Sequence, residues 1–364
     1  MAQAKKAASI WDVARLAGVS HQTVSRVVNG SPRVAAATRD KVLEAIADLG
    51  YRPNRLARSL AGGAVESVTV LAADTSLYGP EAALRGIEKA ARSLDWSVQV
   101  SVLDPADTHS DADIVARLPR AGEPTIIMAH DEPGMRAKQV LLDTQPHAMV
   151  AIGPYTAEEL AASPWLVGMD DGKAAAGATR YLLDLGHDTV HHLAIPTSTG
   201  TFGGGKAHRA EGWSRVLREA GREVPDPVPS GWTFAEAFKA VQPLVADPSV
   251  TAILCGNDHL ALATLRAAHL AGREVPGDLS IVGFDNTPFS AYTTPALTTV
   301  NQDFESVGRG AFELLRHRID NSTPRPKPSW PEPELIVRET SGPPRPASLH
   351  RYSVQPVQRE TSTV

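Results

Sequence analysis

Only one cysteine, Cys255, stands among the 364 residues, so no internal disulfide can form and a reducing compartment is expected. Aromatic residues make up just 5 % of the chain. Each Trp or Tyr is therefore worth placing. No apolar run approaches the roughly 20 residues of a membrane helix. The opening residues, MAQAKKAASIWDV, lack the apolar stretch of a secretion signal. A cytoplasmic protein with no membrane partner is the expectation. There is no G-x-S-x-G elbow and no H-E-x-x-H pair, and paired catalytic carboxylates are missing too, so an enzyme is not expected. His191 and His192 are neighbours in a strand-like run, so their side chains face opposite ways. With His187 they make a poor metal site, and neither a metal nor another cofactor is expected.

What is present is an asymmetry of charge. Residues 1–60 hold ten basic and four acidic side chains, a formal +6. The whole chain is −5, so the remainder carries −11. A basic head on an acidic body suits a polyanion that touches the head alone. A merely solvated terminal segment would carry the same charge.

The head reads as three short helices. Ser9 can cap a helix from Ile10, where Ile10, Val13, Ala14 and Ala17 share one face and Gly18 ends the pattern. Ser20 can cap a second helix, His21 to Val28, with Val24, Val27 and Val28 inward. Asn29-Gly30 and Ser31-Pro32 stop it, and a third helix is expected from about Ala36 to Leu49. Helix, tight turn at glycine, helix is the helix-turn-helix pattern. His21, Gln22, Ser25 and Arg26 lie outward near the start of its second helix. Gln can pair with adenine and Arg with guanine, while Thr23, Ser25 and Arg33 suit phosphates.

The stretches DVARLAGVS, TVSRVVNG, TRDKVLEAI, LGYRPN and LARSL together resemble the DNA-binding head of the LacI/GalR (lac-repressor) family. The resemblance adds Asn29 to the candidate DNA contacts. It also implies that residues 53–63 form a hinge helix, ordered on DNA, with Asn54, Arg55, Ala57, Arg58 and Leu60 at the duplex. Leu60 matches the minor-groove wedge of the family. An ordinary linker would also fit the residues alone.

From Ser67 strand-like and helical runs alternate, which predicts parallel sheets covered by helices. SVTVLAA, SVQVSVL, PTIIMAH and HAMVAIG read as strands of a first series. In PEAALRGIEKAARSLDW, Leu84, Ile87, Ala91 and Leu94 are expected on one buried helix face. A second series begins near Trp165. Its LLDLGH, HRAEGW, CGNDHLALATLRA, SIVGFDNTPFS, PALTTVNQD and LIVRET resemble the same family's body. That implies two flavodoxin-like lobes of periplasmic-binding-protein type over residues 64–340. The first lobe is expected at about 64–164 and 296–325, the second at about 165–295 and 326–340. Crossovers are thus expected near Trp165, Pro295 and residue 325. Residues 341–364, polar and proline-rich, are expected to be disordered.

The resemblance implies a ligand cleft at the strand ends. Arg209, Asn257 and Asp285 match the family's ligand-gripping residues, with Trp232 as a stacking platform. Gln302 and Phe304 close the cleft from a crossover; Leu77, Tyr78 and Pro80 face it from the first lobe. Taken singly, Asp285 could cap a turn, Asn257 could cap a helix and Trp232 could be core. The strand-end aspartate expected near Ile152-Gly153 is missing, which leaves the exact sugar open. The glycine-rich run ending at Lys206 lacks P-loop spacing and reads as a lip of the cleft.

The expected function is thus a repressor on a pseudo-palindromic operator, a homodimer governed by a small sugar. The chain lacks the C-terminal leucine heptad of tetrameric relatives. A nucleobase or nucleoside effector is the alternative. A transport binding protein would need a signal peptide and no basic head.

Overall fold

The computed structural model describes residues 8–28, 31, 33–51, 67–73, 75–103, 110, 114–116, 118–120, 122–144, 149–196, 208–320 and 332–345. The chain separates into two compact units, residues 1–66 and residues 67–364.

The first unit is a bundle of α1 (Ile10–Ala17), α2 (His21–Val28) and α3 (Ala36–Leu49). Local chemistry sets the ends of these helices. Ser9 and Asp12 form a reciprocal capping box at the start of α1. Gly18 ends it at φ +67°, a left-handed conformation that costs glycine least. Val13, Ala14, Val24, Val27, Val42 and Ala45 form the buried core. Such a small core leaves the cap hydrogen bonds a large share of the stability, about 1 kcal/mol each.

The second unit holds two parallel sheets. The first comprises β1 (Ser67–Ala72), β2 (Ser97–Val102), β3 (Thr125–Met128), β4 (Met149–Pro154) and β5 (Leu166–Met169) in the order β2-β1-β3-β4-β5. Helices α4 (Tyr78–Arg92), α5 (Glu132–Thr144) and α6 (Ala157–Ala162) connect them. Alternate residues divide between two cores, as the two-residue period of a strand requires. Val70, Ile126 and Val150 pack on one face with Ala83, Ile87 and Phe312. Leu71, Ile127 and Ala151 pack on the other with Ala137 and Leu141.

The second sheet comprises β6 (His191–Ala194), β7 (Val228–Pro229), β8 (Ala252–Cys255), β9 (Ser280–Asp285), β10 (Thr298–Asn301) and β11 (Glu334–Ile336). Its order is β11-β10-β9-β8-β6-β7, with only β11 antiparallel. Apart from β11, each sheet has the strand order 2-1-3-4-5 of a flavodoxin-like lobe. Helices α7 (Asp171–Asp184), α8 (His208–Glu219), α9 (Phe234–Ala246) and α10 (Asp258–Leu270) flank this sheet. Trp213 and Phe284 fill one core; Val241, Ile253 and Ile281 fill the other. No described helix is long and apolar enough to cross a membrane.

The lobe boundaries differ from the expectation. Strand β5 extends the first sheet to Met169, so the chain changes lobes at Asp170 rather than near Trp165. Strand β10 pairs with β9 and belongs to the second sheet, so the return falls at residues 302–303 rather than near Pro295. Helix α11 (Phe304–Ile319) then packs on α4 in the first lobe. The third crossover, near residue 325, lies outside the described residues. Two glycines allow the α4–α11 approach: a Cβ on Gly86 would overlap the carbonyl oxygen of Glu305, and one on Gly308 that of Ala83. Leu94 is exposed and Leu84 half-buried, because α4 ends at Arg92 and presents Ala83, Gly86 and Ile87 inward.

Residues 341–345 are also ordered, contrary to the expected disordered tail. Ser341 Oγ lies 2.9 Å from the Tyr181 hydroxyl and 2.8 Å from Thr298 Oγ1. Ser280 Oγ donates to the carbonyl of Gly342, and Arg345 pairs with Asp278 and Glu274. Residues 346–364 lie outside the described residues.

Candidate functional site

The head presents one side of α2. Gln22 and Arg26 are exposed, and His21, Thr23 and Ser25 are half-buried beside them. Positions four apart on a helix share a face, so His21 stacks above Ser25 and Gln22 above Arg26. The His21 ring lies against Trp11, centroids 4.1 Å apart, which ties α2 to α1. The hydroxyls of Thr23 and Ser20 are 2.9 Å apart, and the Thr23 amide donates to Ser20 Oγ, capping the helix. Thr23 is therefore already engaged in the turn. Arg33 is exposed, and Arg39 donates to the Ser31 carbonyl, fixing the loop after α2. Asn29 and the hinge candidates Asn54, Arg55, Ala57, Arg58 and Leu60 lie outside the described residues.

The body contains a cleft between its two lobes, at the carboxyl ends of both sheets. Eight of the nine expected residues line it: Leu77, Tyr78, Pro80, Arg209, Trp232, Asn257, Asp285 and Phe304. Gln302 does not. It is buried behind the cleft, where its Nε2 donates to Asp171 Oδ1 at 2.5 Å and its Oε1 lies 3.4 Å from Arg209 Nη2. Its role is to hold the residues that face the cleft.

Arg209 is the centre of this cluster. It stands in the first turn of α8, stacked 3.9 Å above the Phe284 ring. Its Nε donates to Asp171 at 2.8 Å and its Nη2 to Asp285 at 3.4 Å, and it also bonds the Gly256 carbonyl. All three side chains are about nine-tenths shielded from solvent. Burial works against the guanidinium charge, but Asp171 and Asp285 outweigh it and raise its pKa. Burial pushes the Asp285 carboxyl up to about 8, against the opposing pull of Arg209.

The ends of β8 and β9 are shaped by a second buried carboxylate. Asn257 Oδ1 accepts from the Leu260 amide, so this residue both caps α10 and faces the cleft. Asp258 accepts from the Thr287 amide and from the hydroxyls of Thr287, Ser290 and Thr299. These bonds clamp a turn in which Asp285 has φ +103° and Asn286 φ +51°, conformations uncommon for residues with a side chain. Trp232 is 44 % exposed and so is not core.

His130, Asp171, Met169 and His259 also line the cleft and were not singled out in the sequence. Asp171 had a signal, a carboxylate opening a helix just after a strand. His130 had none. Cys255 is buried beside Thr264, and burial pushes its thiol up to about 12. His192 bonds the Leu254 carbonyl, and His187 sits between Thr251 and Ser280. Among the described residues no group of three His, Cys, Asp or Glu side chains is placed to hold a metal. The Lys206 run lies outside the described residues.

Residues 9–54 match the family model described as bacterial regulatory proteins, lacI family, and residues 179–341 match a periplasmic binding protein-like domain. The chain is 34 % identical over 321 residues to catabolite control protein A of Priestia megaterium, covering 86 % of this chain and 93 % of that one. It is 30 % identical over 313 residues to the lactose operon repressor of Escherichia coli K12, covering 85 % and 84 %. A crystal structure of the lac repressor dimer bound to operator and the anti-inducer ONPF superposes with a TM-score of 0.73 at 27 % identity, covering 93 % of this chain and all of that one. Basic helix-turn-helix head, paired flavodoxin-like lobes and near end-to-end similarity agree, and the chain belongs to the LacI family of DNA-binding transcriptional regulators.

Proposed function

We propose that this regulator represses sugar-utilisation genes as a homodimer on a pseudo-palindromic operator, and that a small uncharged sugar in the cleft controls its grip. The observation that carries the sugar reading is the make-up of the cleft. A polar cluster of Arg209, Asp171, Asp285 and Asn257 shares the cleft with the apolar and aromatic side chains Leu77, Pro80, Phe304 and Trp232. Sugars need that combination: polar groups for paired hydroxyls and a flat ring for the C–H face. Arg209 is the only cation among the described lining residues, and two carboxyl groups already engage it. That balance favours a neutral ligand over a phosphorylated one. A flat nucleobase would want rings on both faces; Tyr78 and Phe304 instead meet edge to face at 6.1 Å.

In the head, Gln22 and Arg26 read base edges in the major groove, while His21, Ser25 and Arg33 sit near the backbone. Two apolar surfaces suit a second copy of the chain. Val100 and Val102 are exposed on β2, an edge strand of the first sheet among the described residues, and Leu270 and Tyr292 are exposed on the second lobe. Unpaired edge strands with apolar residues favour self-association. Ligand acts by binding one lobe arrangement better than the other, with a coupling of about 1–3 kcal/mol.

The test begins with selection of duplexes from a random pool by the full chain. A two-fold symmetric consensus is expected. Arg26→Ala should relax one position of it, at a cost of about 1–3 kcal/mol. Mobility shifts on the selected duplex, with and without a sugar panel, then test the effector. The reading fails if no sequence is enriched, or if only purines alter the shift.

A further inference from the structure

The first lobe offers the cleft little polar chemistry. Its described lining residues are Leu77, Tyr78, Gly79, Pro80, His130, Ile152, Gly153, Pro154, Gly168 and Met169, with Phe304 and Val307 from α11. Only Tyr78 and His130 carry polar side chains. Position 153 has no room for a carboxylate. A Cβ there would lie 2.9 Å from the Ala129 carbonyl and 3.0 Å from the Tyr155 hydroxyl. Gly168 is barred in the same way by the carbonyl of Gly153. The ends of β4 and β5 therefore offer the cleft only glycine backbone and the apolar side chains of Ile152, Pro154 and Met169.

His130 stands at the neighbouring strand end, two residues after β3, where the Ala129 amide donates to the Ile152 carbonyl at 2.7 Å. Its ring borders the cleft, yet its Nε2 has neither solvent nor a hydrogen-bond partner among the described residues. A buried polar atom left unpaired costs stability and calls for a reason. Burial lowers the imidazole pKa to about 4, with Asp171 opposing and Arg209 adding to the effect. At neutral pH the ring is uncharged and offers one donor and one acceptor nitrogen. A hydroxyl group, which both donates and accepts, is its natural complement.

We infer that His130 is the first lobe's specificity-determining contact to the sugar, taking a hydroxyl of a ligand whose other hydroxyls bind Asp285 and Asn257 across the cleft. This rests on the sugar reading above. It makes the ligand a bridge between lobes and replaces the strand-end carboxylate that Gly153 excludes.

Calorimetry on the full chain tests it, with methyl-β-glucoside, methyl-β-galactoside, cellobiose and ribose as sugar probes and hypoxanthine as the nucleobase probe. At least one sugar should bind wild type, and His130→Leu should weaken that binding about tenfold or more. The same variant should melt no lower than wild type, because it removes an unpaired buried polar atom. His130→Gln, which keeps a hydrogen-bonding group, should retain more affinity than His130→Leu. Sugar binding unchanged in His130→Leu overturns the inference and leaves the sugar reading standing. A lower melting temperature in both variants, with equal loss of affinity, also overturns it, since the ring would then be structural. If no sugar binds at about 10 mM, an affinity floor near −3 kcal/mol, the sugar reading falls and the inference with it.

Discussion

Replacing Arg209 by alanine removes the group that joins both sides of the ligand cluster. Asp171 loses its 2.8 Å partner but keeps Gln302. Asp285, the Gly256 carbonyl and Gln302 Oε1 each lose a donor. Removing one member of a buried ion pair costs about 3–5 kcal/mol, because the remaining charge is left uncompensated. Asp285 softens that penalty, since burial already pushes its carboxyl up to about 8 and it can take a proton. The lower end, about 3 kcal/mol, is therefore expected. For a unit of this size 1 kcal/mol moves the melting temperature by about 2–4 °C, so the body should melt about 6–12 °C lower. Differential scanning calorimetry of the full chain measures this, and isothermal titration with a bound sugar should show affinity lost as well. Adding Asp285→Asn to Arg209→Ala should cost less than the sum of the two singles, by about 1–3 kcal/mol, as expected for residues in one network. A variant that melts within about 2 °C of wild type, under 1 kcal/mol on this scale, and still responds to sugar would refute the central role of Arg209.

Burial holds His130 and His192 down to about 4, so the unfolded chain takes up their protons first and stability is lost as pH falls from about 6.5 through 4. Asp285 works the other way: its folded pKa of about 8 exceeds the unfolded value of about 4, so its contribution is full only below about pH 4 and is lost as pH rises from there through 8. Thermal melts across this range should peak near neutrality, and Asp285→Asn should flatten the alkaline side. Gly86→Ala should destabilise the first lobe by about 1–3 kcal/mol through overpacking against Glu305. Gly177→Ala, in an exposed helix position with open space around it, should stabilise by about 0.5–1 kcal/mol; urea unfolding of both reads the contrast. Val102→Lys should shift the chain toward monomer in sedimentation velocity and weaken operator binding; an unchanged dimer would place the interface elsewhere.

The three head helices were legible in the sequence because their ends are set by residues a few positions apart: Ser9 with Asp12, Ser20 with Thr23, and Gly18 in its left-handed turn. The alternation of strands and helices in the body was legible for the same reason, since each repeats with its own short period. The family resemblance then brought eight distant side chains to one cleft. Tertiary structure alone decided the rest. A buried strand such as β10 reads the same in either sheet, and only its pairing with β9 assigns it to the second lobe. Whether Gln302 faces ligand or stands behind Arg209 depends on where Asp171 arrives from 131 residues away. Residues 341–345 look like a tail until Ser280, Asp278 and Glu274 are found beside them. His130 carries no motif, and only the strand-end glycines around it reveal an imidazole nitrogen without a hydrogen-bond partner among the described residues. Local hydrogen bonds are written in neighbouring residues, whereas a pocket is built from contacts between residues that the chain alone does not order.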